Sequence, residues 1–196
     1  MVTSTTANSA VDIASRALIL IGAEPITSFE DNTTEALVAV NMYEDVAQAS
    51  LCDTRWRFAT EQAQLARLSE KPTGRFDAAY QLPAGTLMLN AVTVADQPIN
   101  YTVYGDKVFC DASENEEVIA DFIFRAEEIN WPSYFTLAVE YSLAAIFASS
   151  IARNESLTSI MEQKKSILMS KARNLDSQQN TTRKLTTSRF INERRS

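Results

Sequence analysis

Hydrophobic positions recur every three or four residues toward both ends of the chain and every two residues through its middle. Ala10, Ala14, Ala17, Leu18 and Ile21 share one helical face, which Val11, Ile13 and Leu20 widen. Ser9 and Asp12 supply a hydroxyl cap and an early acid for the free amides at the helix start. Gly22 closes this helix, and Pro25 prevents its continuation. Asp31 and Asn32, with Glu35 three residues beyond Asn32, open a second helix faced by Ala36, Val40, Tyr43, Ala47 and Leu51. A short connection between two such helices predicts an antiparallel hairpin.

From Arg55 to Arg125 the period changes. Trp56, Phe58 and Leu65 punctuate a mixed stretch, and Pro72, Thr73 and Gly74 mark a loop. Residues 80–87 read as strand, turn, strand, and residues 87–94 continue with apolar side chains on both faces except at Asn90 and Thr93. Ile99, Tyr101 and Val103 alternate with Asn100 and Thr102, residues 104–107 turn, and Val108–Cys110 return as a hairpin. Val118, Ala120, Phe122 and Phe124 supply one more strand by period two. The pattern predicts a small, mostly antiparallel unit of four to six strands.

Helical spacing resumes at Asn130-Trp131-Pro132, a start signal because proline is preorganised for a first turn. Residues 133 to about 153 are apolar nearly all round, through Phe135, Leu137, Val139, Tyr141, Leu143, Ile146, Phe147 and Ile151. A helix of ~20 residues is ~30 Å long. One that is apolar on every side is covered on every side, by its own domain or by a neighbouring subunit. Asn154 and Glu155 mark a break. Leu157, Met161, Leu168, Ala172 and Leu175 then line a last helix, with Ser159, Glu162, Ser166, Ser170 and Arg173 opposite. Lys164 and Lys171 fall on or beside the apolar stripe, where long stems reach water. The expected fold is α+β. Residues 1–54 and 130–176 form a helical bundle, 55–129 an inserted antiparallel β domain, and 177–196 an extended C-terminal tail.

Composition narrows the chemistry. With 45% hydrophobic residues in 196, the chain can bury a core. Thr136, Glu140 and Ser142 interrupt the longest apolar region, residues 134–148, so no bilayer span is expected. Residues 1–10 are Thr/Ser-rich and lack the basic start and apolar stretch of a secretory signal, which predicts a soluble protein made in the cytoplasm. There is no histidine, so the commonest general base, metal ligand and nucleophile partner are missing. Gly22, Gly74, Gly85 and Gly105 stand singly, and no glycine-rich phosphate cradle exists. No catalytic, cofactor-binding or metal residues are assigned. Cys52 and Cys110 have no metal spacing and read as small hydrophobes. Trp56, Phe58, Trp131, Tyr134 and Phe135 read as core. Glu140 reads as facing solvent or a subunit boundary, the alternative being a buried functional carboxylate. Asp106, Asp111, Glu114, Glu116 and Glu117 read as a solvated acidic turn, the alternative being a metal site.

Charge separates the ends. Residues 177–196 carry Arg183, Lys184, Arg189, Arg194 and Arg195 against Glu193 alone, while residues 1–176 hold 13 basic and 24 acidic residues. A polar, basic, nearly coreless extension on an acidic body reads as a docking segment. Phe190 and Ile191, framed by Arg189, Arg194 and Arg195, have the makeup of an apolar anchor with guanidinium clamps for carboxylates. The competing readings are a solvated terminus and a grip on nucleic acid.

Several short motifs together resemble the head-to-tail adaptor (connector) proteins of tailed bacteriophages, of the tail tubular protein A type. Residues 21–26, Ile-Gly-Ala-Glu-Pro-Ile, look like that family's first hairpin. Residues 56–59, Trp-Arg-Phe-Ala, are similar to its aromatic-basic junction after the second helix. Residues 80–87 and 101–111 resemble its β insertion, and residues 131–153 its long following helix. Residues 188–195 resemble a C-terminal docking peptide. The resemblance implies a homo-oligomeric ring in the virion neck, commonly a dodecamer, assembled in the host cytoplasm. The ring would sit beneath the phage portal protein, join it to the downstream tail or nozzle protein, and pass DNA during genome ejection without sequence-specific binding or membrane contact. Charge and the resemblance of residues 188–195 together give the expected portal-docking tail as Arg183, Lys184, Arg189, Phe190, Ile191, Arg194 and Arg195. An acidic wall suits such a channel, because fixed negative charge repels phosphate. The alternatives are an intracellular helical scaffolding module and, from a different class, a carboxylate-dependent metal nuclease.

Overall fold

The computed structural model describes residues 7–70 and 72–179. Among them are four α-helices, α1 (Ala10–Leu20), α2 (Thr34–Cys52), α3 (Ser133–Ser150) and α4 (Glu155–Ser177). Between α2 and α3 lie β1 (Thr60–Gln64), β2 (Ala66–Arg67), β3 (Ala78–Gln81), β4 (Thr86–Val94), β5 (Gln97–Pro98), β6 (Tyr101–Tyr104), β7 (Lys107–Cys110) and β8 (Val118–Phe124). The fold is mixed α+β, with two four-stranded antiparallel sheets ordered β1-β8-β4-β5 and β2-β3-β7-β6.

The helix ends follow local chemistry. Ser9 Oγ accepts from the Asp12 amide at 3.2 Å, and the Ala23 and Gly22 amides return to Leu18 and Ile19 at 3.1 Å, with Gly22 at φ 78°. The cap of α2 is Thr33, not Asn32: its Oγ1 accepts from the Ala36 amide at 3.2 Å. Asp31 instead accepts from the Thr27 and Ser28 amides, which ties the preceding loop and holds its carboxyl below the usual range. Asn154 caps α4 through the Leu157 amide at 3.1 Å.

The connection from α1 to α2 spans residues 21–33, and these helices touch only sparsely; each packs chiefly on α3. The expected hairpin is therefore replaced by three helices, α1, α2 and α4, arranged on a fourth. That arrangement answers the question posed by the all-round apolar helix. Phe135, Ala138, Val139, Leu143, Ala144 and Phe147 are fully buried within this chain, so α3 is covered from inside and leaves mainly Leu137 exposed.

The strands number eight among the described residues, above the four to six expected. The excess is short or polar: β2 and β5 have two residues each, and β1 reads Thr-Glu-Gln-Ala-Gln. The segments either side of Pro83 are strands but do not pair; β3 joins β2 and β7, while β4 joins β8 and β5. Only buried Leu65 separates β1 from β2, so one run of chain passes from the first sheet to the second. Val118, Ala120 and Phe122 of β8 enter the strand core, whereas Ile123 enters the helical core. Val92 and Leu87 of β4 divide in the same way. The first sheet is thus covered on both sides, which explains why residues 87–94 are apolar on both faces.

Candidate functional site

The seven tail residues, Arg183, Lys184, Arg189, Phe190, Ile191, Arg194 and Arg195, lie outside the described residues. The structure does describe where that segment begins. Asp176, in the last turn of α4, is 4% exposed. Its Oδ1 accepts from the Tyr134 hydroxyl at 2.9 Å, and its Oδ2 from the Arg57 amide at 3.2 Å. The Asp176 carbonyl accepts from Arg57 Nε at 3.1 Å. One turn earlier, Arg173 Nε donates to Asp53 Oδ2 at 2.9 Å, just past the end of α2. Burial, with the Asp176 carboxylate beside it, pushes the Tyr134 phenol up to about 12. These contacts fasten the end of α4 to the start of α3, to the end of α2 and to the turn that leads into β1.

A second network joins the strands to the helices. Arg125, just after β8, grips Glu44 of α2 through Nε and Nη2 at 2.8 and 2.9 Å, and reaches Glu128 at 2.6 Å. Its guanidinium lies over the Trp131 ring at 5.4 Å. Tyr43 donates to Glu128 at 3.1 Å. The hydrogen bonds from Arg125 hold the Glu44 carboxyl below its ordinary range. Bidentate pairing fixes direction as well as distance, so β8 leaves the first sheet at a set angle to α2.

The helical side presents a groove floored by α3 and walled by α2 and α4. Its two lobes hold about 700 and 590 Å³ and share Met42, Ile146, Glu162 and Lys165. Glu162, Ser166, Ser170 and Arg173, expected on the solvent side of α4, line this groove. On α4 Ile160 is 48% and Ile167 67% exposed, and Lys164 reaches over the Tyr141 ring of α3 at 5.7 Å. On α2, Leu37 is 63% and Val40 48% exposed, so Val40 does not belong to the buried face assigned to it. Leu37 stands at the rim of the groove, which it helps to line, and Val40 faces outward.

Glu140 does not face solvent or a boundary. It is 6% exposed inside the helical core, with Arg16 of α1 at 3.7 Å. Burial pushes its carboxyl up and Arg16 pulls it back. The acids following the hairpin are used in turn geometry: Asp111 accepts from the Asp77 amide, Glu116 from the Ser113 amide and Asp106 from the Gln81 side chain. Among the described residues no three acids or cysteines converge as a metal site would require. Cys52 is half-buried and Cys110 buried, and burial pushes the Cys110 thiol up to about 11, away from thiolate chemistry. Phe135 is the hub of an aromatic cluster, with ring centroids of Trp56, Phe58 and Trp131 at 5.0, 4.9 and 4.9 Å.

Sequence reasoning missed Asp176, Arg57 and Arg125. One signal was available. An acid in the last turn of a helix opposes the macrodipole, so Asp176 needs a specific partner to be stable there. No helix among the described residues is long and apolar enough to cross a membrane.

No protein-family model matches this chain, and no curated protein matches it significantly in sequence.

Proposed function

We propose that this chain is a structural head-to-tail adaptor of a tailed bacteriophage. In this reading the helices from both parts of the chain make one bundle, the strands are an insertion carried on it, and residues 177–196 extend from its edge. Copies form a ring beneath the portal, the extension binds portal carboxylates and apolar pockets, and the acidic body lets duplex DNA slide. The chain works by binding, with no covalent chemistry.

The observation that carries the reading is the fixed root of the basic segment. Asp176 and Arg173 anchor the end of α4 to three other parts of the fold. A cationic segment held at a rigid starting point loses less freedom on docking than one hung from a frayed helix. The order helix, helix, strands, helix, helix, basic extension agrees with what the family resemblance implies.

The test is removal of residues 183–196. The truncated protein keeps its far-ultraviolet circular dichroism and melting temperature but no longer sediments with isolated portal oligomers, whereas the full chain does. Equal portal affinity for the two forms would falsify the docking role.

A further inference from the structure

The groove between α2 and α4 is roofed by nothing among the described residues. The two helices each pack on α3 and stand apart from each other, bridged at one end by Arg173 and Asp53. Small residues of α3, Ser142, Ala145 and Ser149, form the floor between them. The lining comes from these three helices and Asp53 alone, and Leu37 and Met42 on the α2 wall are exposed to water. The rim is acidic. The Arg173–Asp53 pair cancels, and Asp45 and Glu162 then stand against Lys165 alone, two negative charges to one positive. Residues 17–54, which include α2, hold seven acids and no lysine or arginine.

The basic segment starts where this groove ends. Arg173 and Asp53 close it toward the C-terminal end of α4, and Ser177 lies one turn beyond Arg173 on the same face of that helix. From Gln179, the last described residue, eleven residues lead to Phe190, a span of at most roughly 36–40 Å. The two lobes of the groove meet at Met42, Ile146 and Glu162. Fifteen positions separate Ser177 from Glu162, ~22 Å of α4. Roughly 14 Å therefore remains for the chain to reverse direction and cross the Arg173–Asp53 bridge. Length, apolar anchor and charge all match: the segment carries Phe190, Ile191 and five cations against Glu193.

We propose that residues 183–196 occupy the α2–α4 groove of their own chain when no other partner holds them. Phe190 enters the floor between Met42 and Ile146, Ile191 lies along Leu37, and Arg189 meets Asp45 and Glu162 at the rim. The contact is intramolecular, so dilution leaves it intact, while salt weakens its charged part. One apolar anchor on an open groove makes it weak. A partner that takes the segment empties the groove, and a ligand that fills the groove releases the segment, because the two events share one equilibrium. This goes beyond the adaptor reading and does not depend on it. Its test contains no portal, so failure here leaves the portal assay to stand or fall separately.

The experiment titrates a fluorescein-labelled peptide of residues 180–196 into the full chain and reads fluorescence anisotropy. In the variant Phe190→Ala/Ile191→Ala the chain's own segment no longer competes, and the peptide binds saturably. The wild type binds it about threefold more weakly, because its groove is occupied most of the time. A threefold difference is ~0.7 kcal/mol and moves the melting temperature by only ~1–3 °C, so the contact shows in binding and barely in thermal stability. Added to the alanine variant, Met42→Lys weakens the peptide about tenfold, and Asp45→Lys at the exposed rim does the same. Val40→Lys, on the outward side of the same helix, changes binding by less than about twofold. Circular dichroism establishes that each variant folds. Absence of saturable binding to the alanine variant overturns the proposal, as does equal binding to the wild type. So does indifference to both Met42→Lys and Asp45→Lys. Sedimentation that finds the wild type associated and the alanine variant monomeric assigns the groove to a second copy's segment and overturns the intramolecular contact.

Discussion

Replacing Asp176 by alanine tests the root of the C-terminal segment. The substitution removes two charge-assisted hydrogen bonds, from the Tyr134 hydroxyl and the Arg57 amide. Bonds of this kind contribute ~1.5–3 kcal/mol each, and the Arg57 amide is left facing a site that is closed to water. Against this, a buried carboxylate no longer has to be desolvated, so the net loss falls below the simple sum, at about 2–4 kcal/mol. For a chain of this size each kcal/mol lowers the melting temperature by ~2–4 °C, giving a drop of roughly 4–16 °C. Asp176→Asn keeps the shape and can still accept from the Arg57 amide, so its loss is smaller, about 1 kcal/mol. Urea unfolding gives the free energies, and a double-mutant cycle with Tyr134→Phe gives a coupling of about 1–2 kcal/mol. Absorbance titration supplies an independent readout. The Tyr134 phenol ionises near 12 in the native protein and shifts toward its ordinary value once the carboxylate is gone. Stability contributed through this phenol is present below its ordinary value near 10 and is lost as pH rises toward 12. An alanine variant within about 0.5 kcal/mol of wild type, with no coupling to Tyr134, would show that the root is not held as described.

Two further substitutions examine the two cores. Glu140 has its carboxyl raised by burial, so the native state holds its proton to higher pH than the unfolded chain does, and stability falls as pH rises above the ordinary carboxylate range. Glu140→Gln should therefore be neutral in acid and stabilising at neutral pH; a variant destabilised equally at both would contradict the account. Tyr80 is 2% exposed in the strand core, its hydroxyl meets no partner at hydrogen-bond geometry among the described residues, and Arg67 lies over its ring at 5.9 Å. Removing a bonded hydroxyl usually costs ~1 kcal/mol, whereas Tyr80→Phe should be neutral or stabilising by about 1 kcal/mol, because it deletes an unpaired buried group. Chemical denaturation decides the sign.

Elements fixed by local chemistry were readable along the chain. Ser9, Gly22, Pro132 and Asn154 mark helix ends through hydrogen bonds made within a few residues. The Gly105 turn is readable for the same reason, since only a residue tolerant of φ 62° fits there easily. What escaped depends on residues distant in sequence. The strand β1 is mostly polar and owes its conformation to pairing with β8, not to its own pattern. The partners of Glu140 and Asp176 lie on other elements, and no periodicity points from Glu140 to Arg16 or from Asp176 to Arg57. The outward apolar residues of α2 escaped because the stripe drawn through Val40 assumed a neighbour on that side. The tail residues themselves stand out by charge, by composition and by the resemblance of residues 188–195 to a docking peptide.

The central claim is that this chain acts by seating itself, in several copies, on a larger assembly. Native mass spectrometry of the full chain mixed with purified portal oligomer tests it most directly. The account predicts a single complex in which every portal subunit carries one copy of the chain, formed without loss of mass from either component. A mixture that shows only free portal and free chain, at all concentrations and salt conditions that keep both folded, would contradict it.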